Sequence, residues 1–116
     1  MLSVCCMTAG SDPDLLAAIL ALFRPVSNEI VVALDDRRAE AVTQLAGVAD
    51  RVVLFPYEPP SDRPIAWLFG LCSGRWILNV DDDEVPSVRL LATLPELVAR
   101  DGVTHYWIAR GGCSRT

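Results

Sequence analysis

The residues of this chain that could do chemistry are carboxylates gathered in two groups, each of which follows an apolar run. The larger group has four consecutive members, Asp81, Asp82, Asp83 and Glu84. The run before it, residues 76–80, is bounded by Gly74 and Pro86, a pattern that predicts a short buried strand. Four adjacent acids repel one another, but at the carboxyl end of a parallel strand they would offer hard oxygen ligands to a divalent cation. The alternative is a charged loop between a strand and a helix.

The smaller group is Asp35 and Asp36, which follow the apolar run at residues 29–34. The carboxyl ends of parallel strands share one edge of a sheet, so both acidic groups would lie there together with residues 8–10. One group could accept hydrogen bonds from a base or a ribose while the other holds a cation that faces a diphosphate. Such a site suits a transfer reaction in which a nucleoside diphosphate leaves.

The direction of each side chain matters for the larger group. If the strand persists through the acids, Asp81 and Asp83 point to the side opposite Asp82, because side chains alternate along a strand. These two carboxylates could then converge on a single ligand. The spacing therefore predicts that Asp81 and Asp83 act as a pair.

Hydrophobic periodicity divides the chain into alternating strands and helices. Strands are predicted at residues 2–7, 29–34, 51–55, 76–80 and 103–109. Helices are predicted from a cap at Ser11 or Asp12 to Phe23, at residues 38–45 and 65–72, and after Ser87 with a restart at Thr93. This order predicts an α/β fold with three layers (α/β/α) and a mostly parallel sheet covered on both faces. Residues 1–110 would form this domain and residues 111–116 a frayed tail.

Length, composition and charge exclude several classes of protein. The chain has 116 residues, enough for one domain, and is 52% hydrophobic and 22% charged, which excludes a disordered protein. Its formal net charge of −5 argues against a nucleic acid as partner, because that affinity comes from basic patches. All ten basic residues are arginine, so P-loop phosphate binding and Schiff-base chemistry, which need a lysine, are excluded.

The cysteines and the apolar runs indicate where the protein works. Four cysteines, at positions 5, 6, 72 and 113, form no C-x-x-C pair, and there is a single histidine, His105, expected to be a packed residue. Neither a zinc site nor a disulfide framework is indicated. Cys5, Cys6 and Cys72 are expected to be buried thiols in a reducing compartment. No signal peptide and no apolar run of the roughly 18 residues that a membrane span needs is present, so we expect a cytoplasmic protein that could rest against a membrane.

Taken in order, these segments resemble the N-terminal, nucleotide-binding half of the family 2 glycosyltransferases, which have the GT-A fold. The matching segments are SVCCMTAG, DPDLLAAILALF, EIVVALDDR and AWLFGLCSGRWILNVDDDEVPS, the last of which carries the D-x-D motif. The resemblance covers about residues 3–108 and rests on the order and separation of the segments. It implies a glycosyltransferase that takes a nucleotide-diphosphate sugar as donor, uses Mn²⁺ or Mg²⁺, and transfers the sugar with inversion to a saccharide, lipid or protein.

The resemblance also implies how the donor nucleotide is bound. Thr8 and Ala9 would line the nucleotide pocket. Asp35, together with Asp36, would contact a uracil-like base or the ribose. These four residues lie at the ends of the first two predicted strands.

A metal site is implied at the D-x-D motif. Asp81 and Asp83 would be the metal ligands, with Asp83 the more direct of the two. Asp81 and Asp82 would contact the nucleotide-sugar, and Glu84 would support the metal through its direct ligands.

Two features depart from the family pattern. Members often carry an Arg-Asn pair on the helix before the D-x-D strand, where this chain has Trp67 and Leu68, and Arg63 would then replace the missing cation near the diphosphate. The acceptor-side half, which carries the catalytic base, would follow the fifth strand, where this sequence stops. We therefore expect donor binding from these residues rather than complete catalysis, and we assign no catalytic residue.

Two alternatives stay open. The chain could be a catalytically incomplete fragment that binds only a nucleotide or a partner. The run DDDEV also fits the D-x-D-x-[TV] pattern of haloacid-dehalogenase-like phosphotransferases, in which the first aspartate is a nucleophile. That class places its motif on its first strand and relies on a lysine, whereas here the motif follows the fourth predicted strand and lysine is absent.

Overall fold

The structure is a computed structural model that describes residues 2–56, 65–100, 105–108 and 111–115. The strands are β1 (Leu2–Thr8), β2 (Glu29–Asp35), β3 (Arg51–Phe55), β4 (Trp76–Asn79), β5 (His105–Ile108) and β6 (Gly111–Arg115). The helices are α1 (Pro13–Phe23), α2 (Val42–Ala46), α3 (Ile65–Gly70) and α4 (Val88–Ala99), with short 3-10 segments at Arg24–Val26 and Asp36–Ala41. In the described part of the chain, no helix is both long and apolar enough to cross a membrane.

The strands form one six-stranded sheet in the order β3-β2-β1-β4-β6-β5. The first four strands in this order are parallel to one another, whereas β6 runs antiparallel to both β4 and β5. The predicted α/β fold with a mostly parallel sheet is therefore confirmed. Because β1, β2, β3 and β4 are parallel, their carboxyl ends meet at the same edge of the sheet.

Two apolar clusters cover the two faces of the sheet. The larger cluster joins α1, α2 and α4 to one face, where β1 contributes Val4 and Cys6. The smaller cluster lies between α3 and the other face, where β1 contributes Cys5 and α3 contributes Leu68. Side chains alternate across a strand, so a strand that is covered on both faces is apolar at nearly every position. This arrangement explains the continuous apolar runs of the sequence.

Helix α1 begins and ends where its sequence predicts. The side chain of Asp12 accepts a hydrogen bond from the backbone N–H of Leu15 at 3.1 Å, which caps the helix, and Pro13 occupies its first turn. Four residues at helical spacing form its buried stripe: Leu16, Ile19, Leu20 and Phe23. The stripe packs on the larger cluster.

Several elements differ from their sequence predictions. The helix predicted at residues 38–45 is a 3-10 segment, Asp36–Ala41, followed by the short α2, Val42–Ala46. Residues 111–115, expected in a tail, form β6 and pair with β4 and β5. Helix α4 is continuous through residue 93. The hydroxyl of Thr93 donates to the carbonyl of Arg89 at 2.6 Å inside the same helix, so Thr93 does not cap a new one. Strand β4 ends at Asn79, which changes the geometry of the acids that follow it.

A hydrogen-bond network, partly exposed, holds the opposite, amino-terminal edge of the sheet together. The carboxylate of Glu29 accepts from the hydroxyl of Ser3 at 2.8 Å and from the backbone N–H and hydroxyl of Ser73 at 2.8 and 2.9 Å. The Ser3 hydroxyl accepts in turn from the backbone N–H of Gly74 at 2.8 Å. The network fixes the loop that leads into β4 against β1 and β2.

We expect Gly74→Ala to destabilise the fold. A Cβ at this position would collide with the Ser3 hydroxyl and lie 2.7 Å from the backbone nitrogen of Ser3, so β1 or the loop must shift. The expected loss in the free energy of unfolding is about 2 kcal/mol, measured by urea denaturation. Gly70→Ala is the matched control, because nothing lies within 4 Å of its added Cβ, and an equal loss in the two variants would contradict this account.

The stability that Glu29 provides should depend on pH. Burial raises the pKa of this carboxyl, but hydrogen bonds from Ser73 and Ser3 and the charge of Arg51 outweigh burial and hold the pKa below its ordinary value. A depressed pKa means that the stabilisation is present at neutral pH and is lost as the pH falls through the folded-state pKa.

Glu29→Gln tests this prediction. The loss in the free energy of unfolding caused by the substitution should be larger at neutral pH than at a pH below the folded-state pKa of Glu29, where the wild-type carboxyl is also protonated. Denaturation of both proteins at the two pH values gives the comparison. Glu40→Gln, which changes an exposed carboxylate, should cause little loss at either pH. A loss from Glu29→Gln that is independent of pH would contradict the assignment.

Candidate functional site

The acids after β4 lie in a tight turn. The backbone N–H of Val80 donates to the carbonyl of Cys5 at 2.9 Å, so the chain follows β1 for one residue beyond β4. The backbone N–H of Glu84 then donates to the carbonyl of Asp81 at 3.4 Å, which closes the turn. We call residues 81–84 the acidic turn. The strand does not persist through the acids, so the condition on which the alternation of Asp81, Asp82 and Asp83 was predicted is not met.

One hydrogen bond fastens the acidic turn to the end of β1. Thr8, the last residue of β1, is buried, and its hydroxyl donates to the carboxylate of Asp82 at 2.8 Å. The same hydroxyl accepts from the backbone N–H of Gly10 at 3.0 Å. The register of β1 and β4 explains the contact. Cys5 lies opposite Asn79, and Thr8 and Asp82 each follow these residues by three positions, so they are brought together.

The carboxylate of Asp35 is held by the arginine that follows it. Asp35 ends β2 and is 3% exposed. One carboxylate oxygen accepts from the backbone N–H of Arg37 at 2.9 Å, and the other accepts from its Nη2 at 2.7 Å. The hydrogen bonds from the Arg37 side chain are the main reason why the pKa of Asp35 lies below its ordinary value. The backbone N–H of Arg37 acts in the same direction, and burial acts in the opposite one. Direct contact between Asp35 and a base would require Arg37 to move.

A cleft of about 360 Å³ lies between the turn after β1 and the turn after β2. Its lining residues include Ala9 and Ser11 from the first turn and Arg37 and Arg38 from the second. The two turns pack closely, because a Cβ on Gly10 would lie 2.8 Å from the Cβ of Arg38. Gly10 also has a φ of +76°, a conformation that glycine adopts without steric cost. The shape of the cleft therefore depends on a glycine at this position.

The predicted site residues divide into three groups. Thr8 and Asp82 touch each other, while Ala9 lines the cleft beside the Asp35–Arg37 pair. The side chains of Asp36, Asp81 and Asp83 are exposed, and Glu84 is half-buried. Arg63 lies outside the described residues.

The acids of the turn do not make a complete metal site on their own. Among the residues that the structure describes, no group of three or more His, Cys, Asp or Glu side chains could hold a metal ion. Asp81 and Asp83 are nevertheless exposed, so their oxygens are accessible to a cation that takes further ligands from a bound molecule and water. Metal binding at this pair remains a prediction.

Sequence reasoning missed the basic residues of the cleft. Arg37 and Arg38 directly follow Asp35 and Asp36, so the two arginines are expected at the same edge of the sheet as those acids. Ser11 was considered only as a helix cap, and the structure gives that role to Asp12. The signal for the arginines was therefore present in the sequence, at the end of β2.

Two solved structures share this fold. A nucleotidyl transferase from Methanothermobacter thermautotroptrophicus superimposes with a TM-score of 0.64 and 19% identity, over 99% of this chain and 71% of that chain. The bifunctional IspDF from Campylobacter jejuni superimposes with a TM-score of 0.56 and 15% identity, over 98% of this chain and 40% of that chain. No protein-family model matches the sequence, and no match to a curated protein was found. At these identities the likeness shows the fold alone.

We expect Thr8→Val to loosen the acidic turn. The substitution keeps the branched shape but removes the hydroxyl, which leaves the half-buried Asp82 carboxylate and the Gly10 amide without this partner. The free energy of unfolding should fall by about 1–3 kcal/mol in urea denaturation. Thr8→Ser keeps the hydroxyl and should lose about 1 kcal/mol or less, for the missing methyl group. Equal losses in the two variants would show that the hydrogen bond does not stabilise the fold.

Proposed function

We propose that the chain binds the nucleotide-diphosphate sugar of a glycosyl transfer reaction at the carboxyl edge of its sheet, together with Mn²⁺ or Mg²⁺. The hydrogen bond between Thr8 and Asp82 is the observation that carries this proposal. It joins the acidic turn to the turn after β1, which also borders the cleft. A cation bound at the acidic turn and a nucleotide bound in the cleft would therefore lie next to each other, at the place where open α/β sheets bind their ligands.

The cation belongs at Asp81 and Asp83. Asp82 is turned inward by its hydrogen bond to Thr8, while the two flanking carboxylates are exposed. Their negative charges repel each other until a cation offsets them. Mn²⁺ and Mg²⁺ favour carboxylate oxygens and fill their remaining positions with phosphate oxygens and water, so a pair of acids suffices when a diphosphate is bound.

The nucleoside of the donor belongs in the cleft. A volume of about 360 Å³ falls within the range of small-molecule pockets, which is roughly 300–1,000 Å³. Arg37 and Arg38 supply positive charge there, and the Ser11 side chain brings a hydroxyl to the lining. In this arrangement Asp35 acts on the donor through Arg37, whose guanidinium it holds in place, and Asp36 is exposed to solvent.

The chain's own contribution to transfer is to hold the donor. In glycosyl transfer a hydroxyl of the acceptor attacks the anomeric carbon, and the bond from that carbon to a diphosphate oxygen breaks. Mn²⁺ or Mg²⁺, when bound, stabilises the charge on the departing oxygen. Asp81 and Asp83 orient the diphosphate, and the cleft orients the nucleoside, so the anomeric carbon is presented in a fixed position. Inversion, and a saccharide, lipid or protein acceptor, follow from the family resemblance alone.

Nucleotidyl transfer is the second candidate, because one solved structure with this fold is a nucleotidyl transferase. That reaction uses a nucleoside triphosphate and releases pyrophosphate. Its substrate therefore carries more negative charge than a nucleotide-diphosphate sugar does. The turn from Ala9 to Asp12 holds no basic residue, and the chain has no lysine, so Arg37 and Arg38 would have to supply the compensating charge. This shortage of positive charge beside the first turn favours the diphosphate sugar.

Titration calorimetry with nucleoside diphosphates, their sugar conjugates and nucleoside triphosphates tests both candidates. We expect a nucleotide-sugar to bind in the presence of Mn²⁺ and to bind weakly after chelation. Asp81→Asn and Asp83→Asn should each weaken Mn²⁺-dependent binding roughly tenfold or more, because an amide is a poorer ligand for a hard cation than a carboxylate. Glu96→Gln, which changes an exposed carboxylate on α4, should bind like the wild type.

The outcomes separate the possible functions. Nucleotide-sugar binding that is unchanged by Asp83→Asn and by a chelator would overturn the metal site. Preference for a triphosphate, with release of pyrophosphate in the presence of an acceptor, would favour nucleotidyl transfer. Binding of a bare nucleotide with no gain from the sugar would favour the alternative of a module that only binds nucleotides.

A further inference from the structure

Two cysteines that are distant in sequence lie side by side on the face of the sheet that α3 covers. Cys5 is in the middle of β1 and is 0% exposed, and Cys72 follows α3 and is half-buried. Both belong to the smaller apolar cluster. Ser3 lies on the same face of β1 as Cys5, because side chains alternate along a strand, and its hydroxyl accepts from the backbone N–H of Gly74, two residues after Cys72, at 2.8 Å. The loop that carries Cys72 therefore lies against this face of β1. The Sγ of Cys72 also lies 3.6 Å from the carbonyl oxygen of Leu68, and the Sγ of Cys5 lies 4.0 Å from the side-chain oxygen of Asn79.

The loop around Cys72 is fixed on both sides, so the position of Cys72 over this face of β1 is built into the fold. The residue before Cys72 offers its carbonyl to Arg51 Nη1 at 2.8 Å. The residue after it, Ser73, donates twice to the carboxylate of Glu29. The backbone N–H of Cys72 itself donates to the carbonyl of Phe69 at 3.0 Å. Holding both neighbours in place keeps the Cys72 side chain directed at β1.

The two thiols differ in chemical character. The hydrogen bond from Cys5, together with the charge of Arg51, lowers the pKa of Cys72 against the opposing effects of burial and Glu29. The same hydrogen bond and burial raise the pKa of Cys5. Cys72 is thus the better nucleophile and is also the more accessible of the two, since reactivity belongs to the thiolate. Cys5 is the protonated, buried partner.

We propose that Cys5 and Cys72 form a reversible disulfide when the protein meets a peroxide, with Cys72 reacting first. The Cys72 thiolate attacks one oxygen of hydrogen peroxide, the O–O bond breaks, and hydroxide leaves, which oxidises Cys72 to a sulfenic acid. The sulfur of Cys5 then attacks the sulfur of Cys72. The S–O bond breaks, and the departing hydroxide takes the Cys5 proton to form water. One peroxide is reduced and two thiols are oxidised, and a thiol reductant reverses the change.

The bond would link the middle of β1 to the loop that leads into β4. These are the two strands whose carboxyl ends carry Thr8 and the acidic turn. A covalent link between residues so far apart in sequence restricts the unfolded chain, so the oxidised protein should be the more stable form. The proposal does not depend on the proposed donor binding.

Cys6 provides a matched control within the same strand. It is also 0% exposed, but its side chain lies on the opposite face, in the larger cluster. Burial, together with the charges of Asp82 and Asp81, raises the pKa of Cys6, which keeps it protonated and unreactive. An adjacent residue with the same chemistry and the same burial therefore lacks the partner that Cys5 has.

Peroxide treatment of the full chain, followed by alkylation and mass spectrometry, tests the proposal. Before alkylation we expect an intact mass lower than that of the reduced protein by the mass of two hydrogen atoms, and after alkylation under denaturing conditions we expect two fewer alkyl groups. A thiol reductant should reverse both changes, and the Tm of the oxidised protein should rise by several degrees. Cys6→Ser and Cys113→Ser should still form the disulfide, whereas Cys5→Ala and Cys72→Ser should not. In Cys5→Ala, Cys72 should accumulate as a sulfenic acid that a 1,3-diketone traps.

Fragmentation of the cross-linked peptide of the wild type assigns the partner as Cys5 or Cys6 without any variant, so the test stands even if a substitution impairs folding. A bond from Cys72 to Cys6 or Cys113, a bond between two chains, or thiols that remain reduced under peroxide would each overturn the proposal. Loss of the disulfide in Cys6→Ser would overturn it as well.

Discussion

The structure depends on one strand that is enclosed on every side. Strand β1 is hydrogen-bonded along one edge to β2 and along the other to β4, and apolar clusters cover both of its faces. A strand in this position has no freedom to slip, because a shift of one residue would move every side chain to the wrong face. The register of β1 then sets what lies at its carboxyl end. Thr8 is brought level with Leu34 of β2 and next to Asp82.

The carboxylates of the described chain fall into two physical classes. Glu29 and Asp35 are fixed by several hydrogen bonds each, and these bonds lower the pKa values of both carboxyls. They stabilise the two edges of the sheet, and neither is available to a ligand without rearrangement. Asp81 and Asp83 are exposed and flank Asp82, which is hydrogen-bonded to Thr8. Three neighbouring negative charges repel one another, so this arrangement does not favour stability. Unfavourable local charge of this kind is expected where a protein binds a cation.

The sequence predicts the parallel part of the fold well, because its central strands β1, β2 and β4 are covered on both faces and appear as apolar runs. It does not predict β6, since the segment GGCSR has neither an apolar run nor alternation, and its strand depends on pairing with distant β4. The acids do lie at the predicted edge of the sheet, but the predicted pairing of Asp81 with Asp83 requires a strand longer than β4. Contacts such as Thr8 to Asp82 and Cys5 to Cys72 require the register of the sheet and the path of a loop, and neither is encoded in local spacing.

The central claim is that a divalent cation and a nucleotide meet at the acidic turn, and paramagnetic line broadening by Mn²⁺ in the presence of a nucleoside diphosphate tests it most directly. The backbone amide signals of residues 80–84 and 8–11 should broaden first, because the unpaired electrons of Mn²⁺ act over short distances. The signals of Ser73 and Gly74, at the opposite edge of the sheet, should broaden least. Broadening centred away from the acidic turn, or no broadening with nucleotide present, would contradict the account.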